Sequence, residues 1–230
     1  MADIPHMDRL GSNYGSVVTL ELHDPQYQGF FDSPVDNLYA RPLLKRYIQQ
    51  IPNYKEAVIV SPDAGGTKRA TGVADDLGMD IALIHKVASP CFPSRSYPST
   101  HSAQERRPTK ITDRQNATMM LVGDVSGRVC ILVDDLLDTG NTITRAAKLL
   151  QREGAEEVYA LVTHGVFSGD AIARVNASAL YKVVVTNSVP QDLHREMCPK
   201  LEVLDISSIF AEAVRRIHHG ESLSALFQHD

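Results

Sequence analysis

The chain has 230 residues, 43% hydrophobic and 22% charged, with a net charge of −5. That size and balance suit one large soluble domain or two small ones, and the negative charge argues against a nucleic-acid binder, whose affinity rests on a basic face. No apolar run reaches the roughly 18 residues that a membrane span needs, and Cys91, Cys130 and Cys198 are too scattered for a disulfide frame or a zinc site, so a reducing, cytoplasmic setting is expected.

In chain order, residues 1–16 (MADIPHMDRLGSNYGS) are polar and patternless, with no apolar core behind basic residues. They read as a disordered or artefactual start and not as a signal peptide. EAVIVSPDAGGTKRATGVADDLG reads strand, Gly-rich loop, helix, and DIALIHK reads as a strand. Residues 87–104 (VASPCFPSRSYPSTHSAQ) follow at once, rich in Ser and Pro and without period, and read as a disordered insert. RVCILVDDLLDTGNTITRAAKLLQREG is again strand, loop, helix, with Gly154 as the stop, and EEVYALVTHGVFSGDAIARVNAS repeats the plan. YKVVVTNSVP and LEVLDIS supply two more strands, and SIFAEAVRRIHHGES a helix.

Strands near-continuous in Val, Ile and Leu between helices predict an α/β fold, a parallel sheet with helices on both faces. Ligands of such sheets bind at the carboxyl ends of the strands. The polar clusters fall there: Ser61 to Lys68, Asp134 to Thr142, Thr163 to Gly169 and Thr186 to Pro190.

The segment ILVDDLLDTGNT carries the most chemistry. A helix start offers unpaired amides and partial positive charge, Gly140 permits close approach, and Thr139, Asn141 and Thr142 add donors, so Asp138 to Thr142 suits a phosphate. Asp134 and Asp135 would repel that phosphate, and fit instead as a grip on sugar hydroxyls or a divalent cation of the same ligand. The plain alternative is an acidic strand end followed by a helix cap.

This run resembles the phosphoribosyl-binding motif of type I phosphoribosyltransferase folds. With LHDPQYQGFFDSPVDNLYARP, VIVSPDAGGTKRA, ALIHK, ERRPTK, MLVGDV, THGVFSG, VVVTNSVPQ and FAEAVRRIHHGESLSALF, the chain resembles the ribose-phosphate pyrophosphokinases of eukaryotic type, or phosphoribosyl-pyrophosphate synthetases, over roughly Val17 to Phe227. The resemblance implies transfer of diphosphate from MgATP to the 1-hydroxyl of ribose 5-phosphate, giving phosphoribosyl pyrophosphate and AMP. It places Asp134 and Asp135 on the ribose hydroxyls and Asp138, Thr139, Gly140, Asn141 and Thr142 on the 5-phosphate. It implies Mg2+ as cofactor, with His23 and Asp63 as ligands on the ATP side. Lys86 and Arg106 match the two cations of the catalytic loop. Ser222, Ser224 and Phe227 match an allosteric pocket at a subunit interface, so partners would be other synthetase subunits, as homo- or hetero-oligomer, and neither nucleic acid nor membrane.

Three departures set further expectations. Residues 17–42 match only the end of a first, similar domain, 43–216 the second, phosphoribosyltransferase-like domain, and 217–230 a tail that packs on the first. Val17, Val18, Leu20, Phe30, Phe31, Leu223 and Phe227 would then lose their partners, and ATP binding would be weak or absent. Removing 87–104 restores the family's HKERRPTK; valine codons begin GT and one glutamine codon ends AG, the ends of a short in-frame intron. As protein, the insert separates Lys86 from Arg106. Residues 1–16 match nothing in the family. Two other functions fit less well. A non-catalytic associated subunit would be expected to degrade DDLLDTGNT, which is intact, and a phosphoribosyltransferase would not need SPDAGG, QGFFD and GESLSALF.

Overall fold

A computed structural model describes residues 17–87 and 118–226. Among these residues, nine strands form two sheets. β1 (Val17–Leu20) and β2 (Val35–Leu38) make a parallel pair, and β3 (Val58–Ser61) to β9 (Leu201–Leu204) make a seven-stranded sheet. Between them come β4 (Asp80–Val87), β5 (Thr118–Val122), β6 (Cys130–Leu137), β7 (Val158–Gly165) and β8 (Lys182–Thr186). The order is β5-β4-β3-β6-β7-β8-β9, parallel throughout except for β5.

The antiparallel edge was not expected. Lys86 faces Met119 and Val87 faces Thr118, so β5 runs back along β4, a common finish for one edge of a parallel sheet. Val87, read above as the first insert residue, is the last of β4; residues 88–104 lie outside the described residues.

Alternation along β6 fills two cores. Cys130 and Leu132 pack with Ile143, Ala146, Ala147 and Leu150, the i, i+3, i+4, i+7 stripe of α3 (Asn141–Arg152). Ile131 and Val133 face α1 (Arg41–Ile48) and α2 (Thr67–Leu77) through Leu44, Ile48, Val73 and Ala74. Among the described residues three more α-helices follow: α4 (Ala171–Asn176), α5 (Asp192–Met197) and α6 (Ser207–His218).

The β1–β2 pair is not orphaned. Leu20, Leu38 and Ala40 join the core of α1 and α2, and so does Leu223 beyond α6. Phe30 and Tyr27 stay exposed, at 73% and 50%. Among the described residues, no helix is long and apolar enough to cross a membrane.

The chain leaves β3 towards β4 and β5 on one side and resumes at β6 on the other. The switch point between β3 and β6 opens a crevice at their carboxyl ends, where open α/β sheets bind ligands.

Candidate functional site

Three segments meet at that crevice. The first is the exit of β1. Glu21 is buried, and its φ of +46° is unusual for a residue with a side chain. Two residues on, His23 places its Nδ1 2.5 Å from Asp135 Oδ2.

The second is the turn after β3. Asp63 Oδ1 accepts from the amides of Gly65 and Gly66, at 3.0 and 3.2 Å, and its carbonyl accepts from the Ser61 hydroxyl at 2.7 Å. Helix α2 then starts, and Arg69 in its first turn reaches across the crevice. Its Nε bonds Glu21 Oε1 at 2.8 Å, and Nη1 stands 3.2 Å from Asp135 Oδ1 and 3.6 Å from Asp134 Oδ1.

The third is β6 with the loop to α3. The strand does not stop at its carboxylates, as its sequence suggested. Pairing with β7 continues to Leu137 opposite Gly165, so Asp134 and Asp135 sit within the strand. Beyond it, Gly140 takes φ +75° just before α3, a left-handed conformation that glycine adopts without penalty. No side chain caps the first turn of α3, and its amides have no intrahelical acceptor. The loop's carbonyls are instead tied back. Asp138 O accepts from Ser168 N at 3.1 Å, Thr139 O from the Arg174 guanidinium, and Gly140 O from Thr144 Oγ1 at 2.8 Å. Amides and hydroxyls over Asp138 to Thr142 are thus left to donate to a ligand, with Asn141 Nδ2 steadied on Thr139 Oγ1 at 3.2 Å.

The electrostatics divide the two aspartates. Burial, then the neighbouring Asp135, push Asp134 up to about 7. Burial also pushes Asp135 upward, but the His23 bond and the Arg69 charge outweigh it and hold its carboxyl below the ordinary value. In return the Asp135 bond, then its charge, raise His23.

Of the residues singled out in the sequence, the structure brings together His23, Asp134 and Asp135. Lys86 lies in β4, and Arg106 and Phe227 lie outside the described residues. Ser222 and Ser224 bond each other at 2.8 Å in the turn after α6, where Arg216 holds the Ser222 carbonyl at 3.0 Å. Thr163 and His164 open the polar cluster Thr163 to Gly169 read from sequence but had no role there, and Glu21 and Arg69 were not singled out. Arg69 sits inside VIVSPDAGGTKRA, and Glu21 directly precedes LHDPQYQGFF; that was their only signal.

Among the described residues, no three His, Cys, Asp or Glu groups converge on one metal position. The donor set still fits a hard divalent cation held partly by a substrate. Mg2+ takes one or two carboxylates and completes its shell with phosphates and water. Ligating histidines commonly bind a carboxylate through the other ring nitrogen. His23 has that arrangement, with Nδ1 on Asp135 and a side chain 72% exposed.

Known proteins share this architecture. A family model described as the phosphoribosyl synthetase-associated domain matches residues 53–228. Ribose-phosphate pyrophosphokinase 5 of Schizosaccharomyces pombe is 51% identical over 215 residues, covering 93% of this chain and 56% of the relative. The crystal structure of phosphoribosylpyrophosphate synthetase from Mycobacterium smegmatis superposes with a TM-score of 0.73 at 35% identity, covering 90% of this chain and 60% of that one. The chain therefore spans somewhat more than half the length of these relatives. The match over most of its residues, on a sheet whose switch point carries the motif read from sequence, makes this chain a member of the phosphoribosyl synthetase-associated domain family.

Proposed function

We propose that the crevice is the ribose 5-phosphate half-site of a ribose-phosphate diphosphokinase. The supporting observation is one continuous strand–loop–helix. It puts two carboxylates and an uncapped, glycine-opened helix start side by side at the switch point. The 5-phosphate sits over Asp138 to Thr142 and the ribose hydroxyls reach Asp134 and Asp135. In the reaction, the 1-hydroxyl oxygen attacks the β-phosphorus of ATP and loses its proton. The bond from that phosphorus to the α–β bridging oxygen breaks, and AMP leaves.

His23, through Nε2, and Asp63 would hold Mg2+, which supplies charge neutralisation on the nucleotide's phosphates. Asp135 fixes the His23 ring for this role. Lys86 and Arg106 are the cations for the transferred group, where positioning and electrostatics carry most of the catalysis. In this reading residues 17–42 are the end of a first, similar domain, 43–216 form the second, phosphoribosyltransferase-like domain, and 217–230 pack on the first. Ser222, Ser224 and Phe227 are assigned to an allosteric pocket at the interface with other synthetase subunits, in the cytoplasm. The separation of Lys86 from Arg106 by residues 87–104 favours impaired turnover, and with it a second reading as a non-catalytic associated subunit.

Calorimetric titration with ribose 5-phosphate and Mg2+ tests the half-site. Binding is expected in the wild type and lost in an Asp134→Ala, Asp135→Ala double variant. A folded chain that binds nothing refutes the half-site and favours the associated subunit. ATP turnover by a chain lacking 87–104, with no nucleobase present, separates synthetase from transferase.

A further inference from the structure

The crevice holds a third carboxylate, Glu21, and a guanidinium, Arg69, to which the reaction above gives no work. Their placement is costly in two ways. Arg69 occupies the first turn of α2, where the helix dipole disfavours a cation. Glu21 holds a left-handed backbone conformation that side chains rarely adopt.

Both residues are over-determined by bonds. Glu21 N donates to Leu38 O at 2.6 Å, and Oε2 accepts from Thr163 Oγ1 at 2.7 Å and Ala40 N at 3.1 Å. Its carbonyl and that of Leu20 lie 3.1 Å from His164 Nε2, so Nε2 carries the proton and Nδ1 accepts from Ser188 Oγ at 2.8 Å. Two carboxylates on adjacent residues repel, and a fork-shaped guanidinium can hold both while a third carboxylate anchors the fork. His23 follows Glu21 by two residues, so the same anchor sets the height at which its ring meets Asp135.

We infer that Arg69, anchored on Glu21 and Thr163, is a positioning residue for the crevice: it fixes Asp134 and Asp135 and ties them to the β1 exit that carries His23. This rests on the reading of Asp134 and Asp135 as the ribose grip. It acts on the sugar side alone, because the phosphate loop is held separately through Ser168 and Arg174.

The test titrates the full chain with ribose 5-phosphate and, separately, with inorganic phosphate. Arg69→Met should weaken ribose 5-phosphate about 10–100-fold, the usual effect of losing an outer-shell partner, and leave inorganic phosphate unchanged. Arg69→Lys should recover part of the loss, since it restores charge without the fork. Thr163→Val, which removes one donor to Glu21 at equal shape, should show a smaller loss in the same direction. Equal affinity for ribose 5-phosphate in Arg69→Met overturns the inference, and so does a parallel loss of both ligands, which marks a purely structural role. A ligand-free measurement keeps this separate from the functional reading: Arg69→Met should shift the His23 imidazole resonances, assigned with His23→Gln. Unchanged resonances refute the positioning role even if the wild type binds no sugar phosphate.

Discussion

Asp134→Asn is the most informative single change at the ribose grip. With the carboxyl pushed up to about 7, only half of the molecules present a carboxylate at neutral pH. If the ionised form takes the ribose hydroxyls, apparent affinity scales with the ionised fraction. That fraction falls from about 0.9 at pH 8 to about 0.1 at pH 6, so affinity should drop about tenfold. The ligand's own phosphate, with a second pKa near about 6, adds roughly another factor of two. Calorimetric titration with ribose 5-phosphate at pH 6, 7 and 8 reads the slope. At pH 7, repetition in buffers of different ionisation enthalpy should reveal about half a proton released per site. Asp134→Asn should bind more weakly at pH 8 but retain only the factor of about two from the phosphate. Stability should move oppositely. A carboxyl raised in the fold contributes stability below its ordinary value of 3.8 and loses it as pH rises through about 7, so the unliganded variant should melt higher at pH 8. A tenfold pH slope that survives in Asp134→Asn would refute the reasoning.

Three further changes test the frame around the site. A Cβ on Gly165 would lie 2.6 Å from the Phe167 ring and 2.9 Å from a Val185 methyl, so Gly165→Ala should cost about 1–3 kcal/mol, read as a Tm lower by about 2–10 °C; an unchanged Tm would mean the loop has room. Leu223→Ala should cost about 2–3 kcal/mol because Leu223 is buried against the α1–α2 core, and a neutral result in denaturant unfolding would show that the segment after α6 does not dock there. Burial pushes Glu202 upward, but its bonds to Lys182 and Tyr47 outweigh it and hold the carboxyl below its ordinary 4.5. Its contribution is therefore present above pH 4.5 and fades as pH falls through the depressed value; Glu202→Gln should flatten the loss of stability between about pH 5 and pH 2, and an equally steep loss in the variant would remove Glu202 from the account.

The parts of this fold that were legible in sequence are those whose physics is local. Each parallel strand of the seven-stranded sheet announces itself as a short run rich in Val, Ile and Leu, whereas β1 and β2 (VDNL) do not, and the phosphate loop is a contiguous strand–loop–helix whose glycine and hydroxyls stand in one stretch. The antiparallel β5 was hidden because direction depends on a pairing across the 88–117 connection and not on the residues of TMMLV. Asp134 and Asp135 looked like a strand end, since carboxylates seldom continue a buried strand. The structure carries them inside β6 because β7 keeps pairing as far as Gly165. Leu20 and Leu223 looked orphaned for want of a partner domain, yet one core takes both. Glu21 and Arg69 are 48 residues apart, and Glu21 and Thr163 are 142 apart, separations at which no periodicity speaks.

The two ends of the sheet differ in a way that explains why the carboxyl edge, and not the cleft at the opposite end, is the place to look for chemistry. At the amino end lies a cleft of about 950 Å3 lined by Tyr47, Tyr159, Arg128, Lys182 and Glu202. Its half-buried polar groups have settled with one another. Tyr47 and Lys182 share Glu202 at 2.9 Å, Tyr159 bonds Glu157 at 3.1 Å, and Arg128 bonds Asp80 at 2.8 Å and the Glu56 carbonyl at 2.7 Å. Volume there is matched by no electrostatic demand. At the carboxyl end, Glu21, Asp134 and Asp135 gather around Arg69 and an exposed histidine, beside a helix start with no cap. Buried like charges and open helix amides both raise the energy of the empty fold. Each is relieved by a different part of one ligand: cation and hydroxyls at the carboxylates, phosphate at the amides. A fold tolerates such a cost where binding repays it, and a sugar phosphate accompanied by a divalent cation relieves both at once.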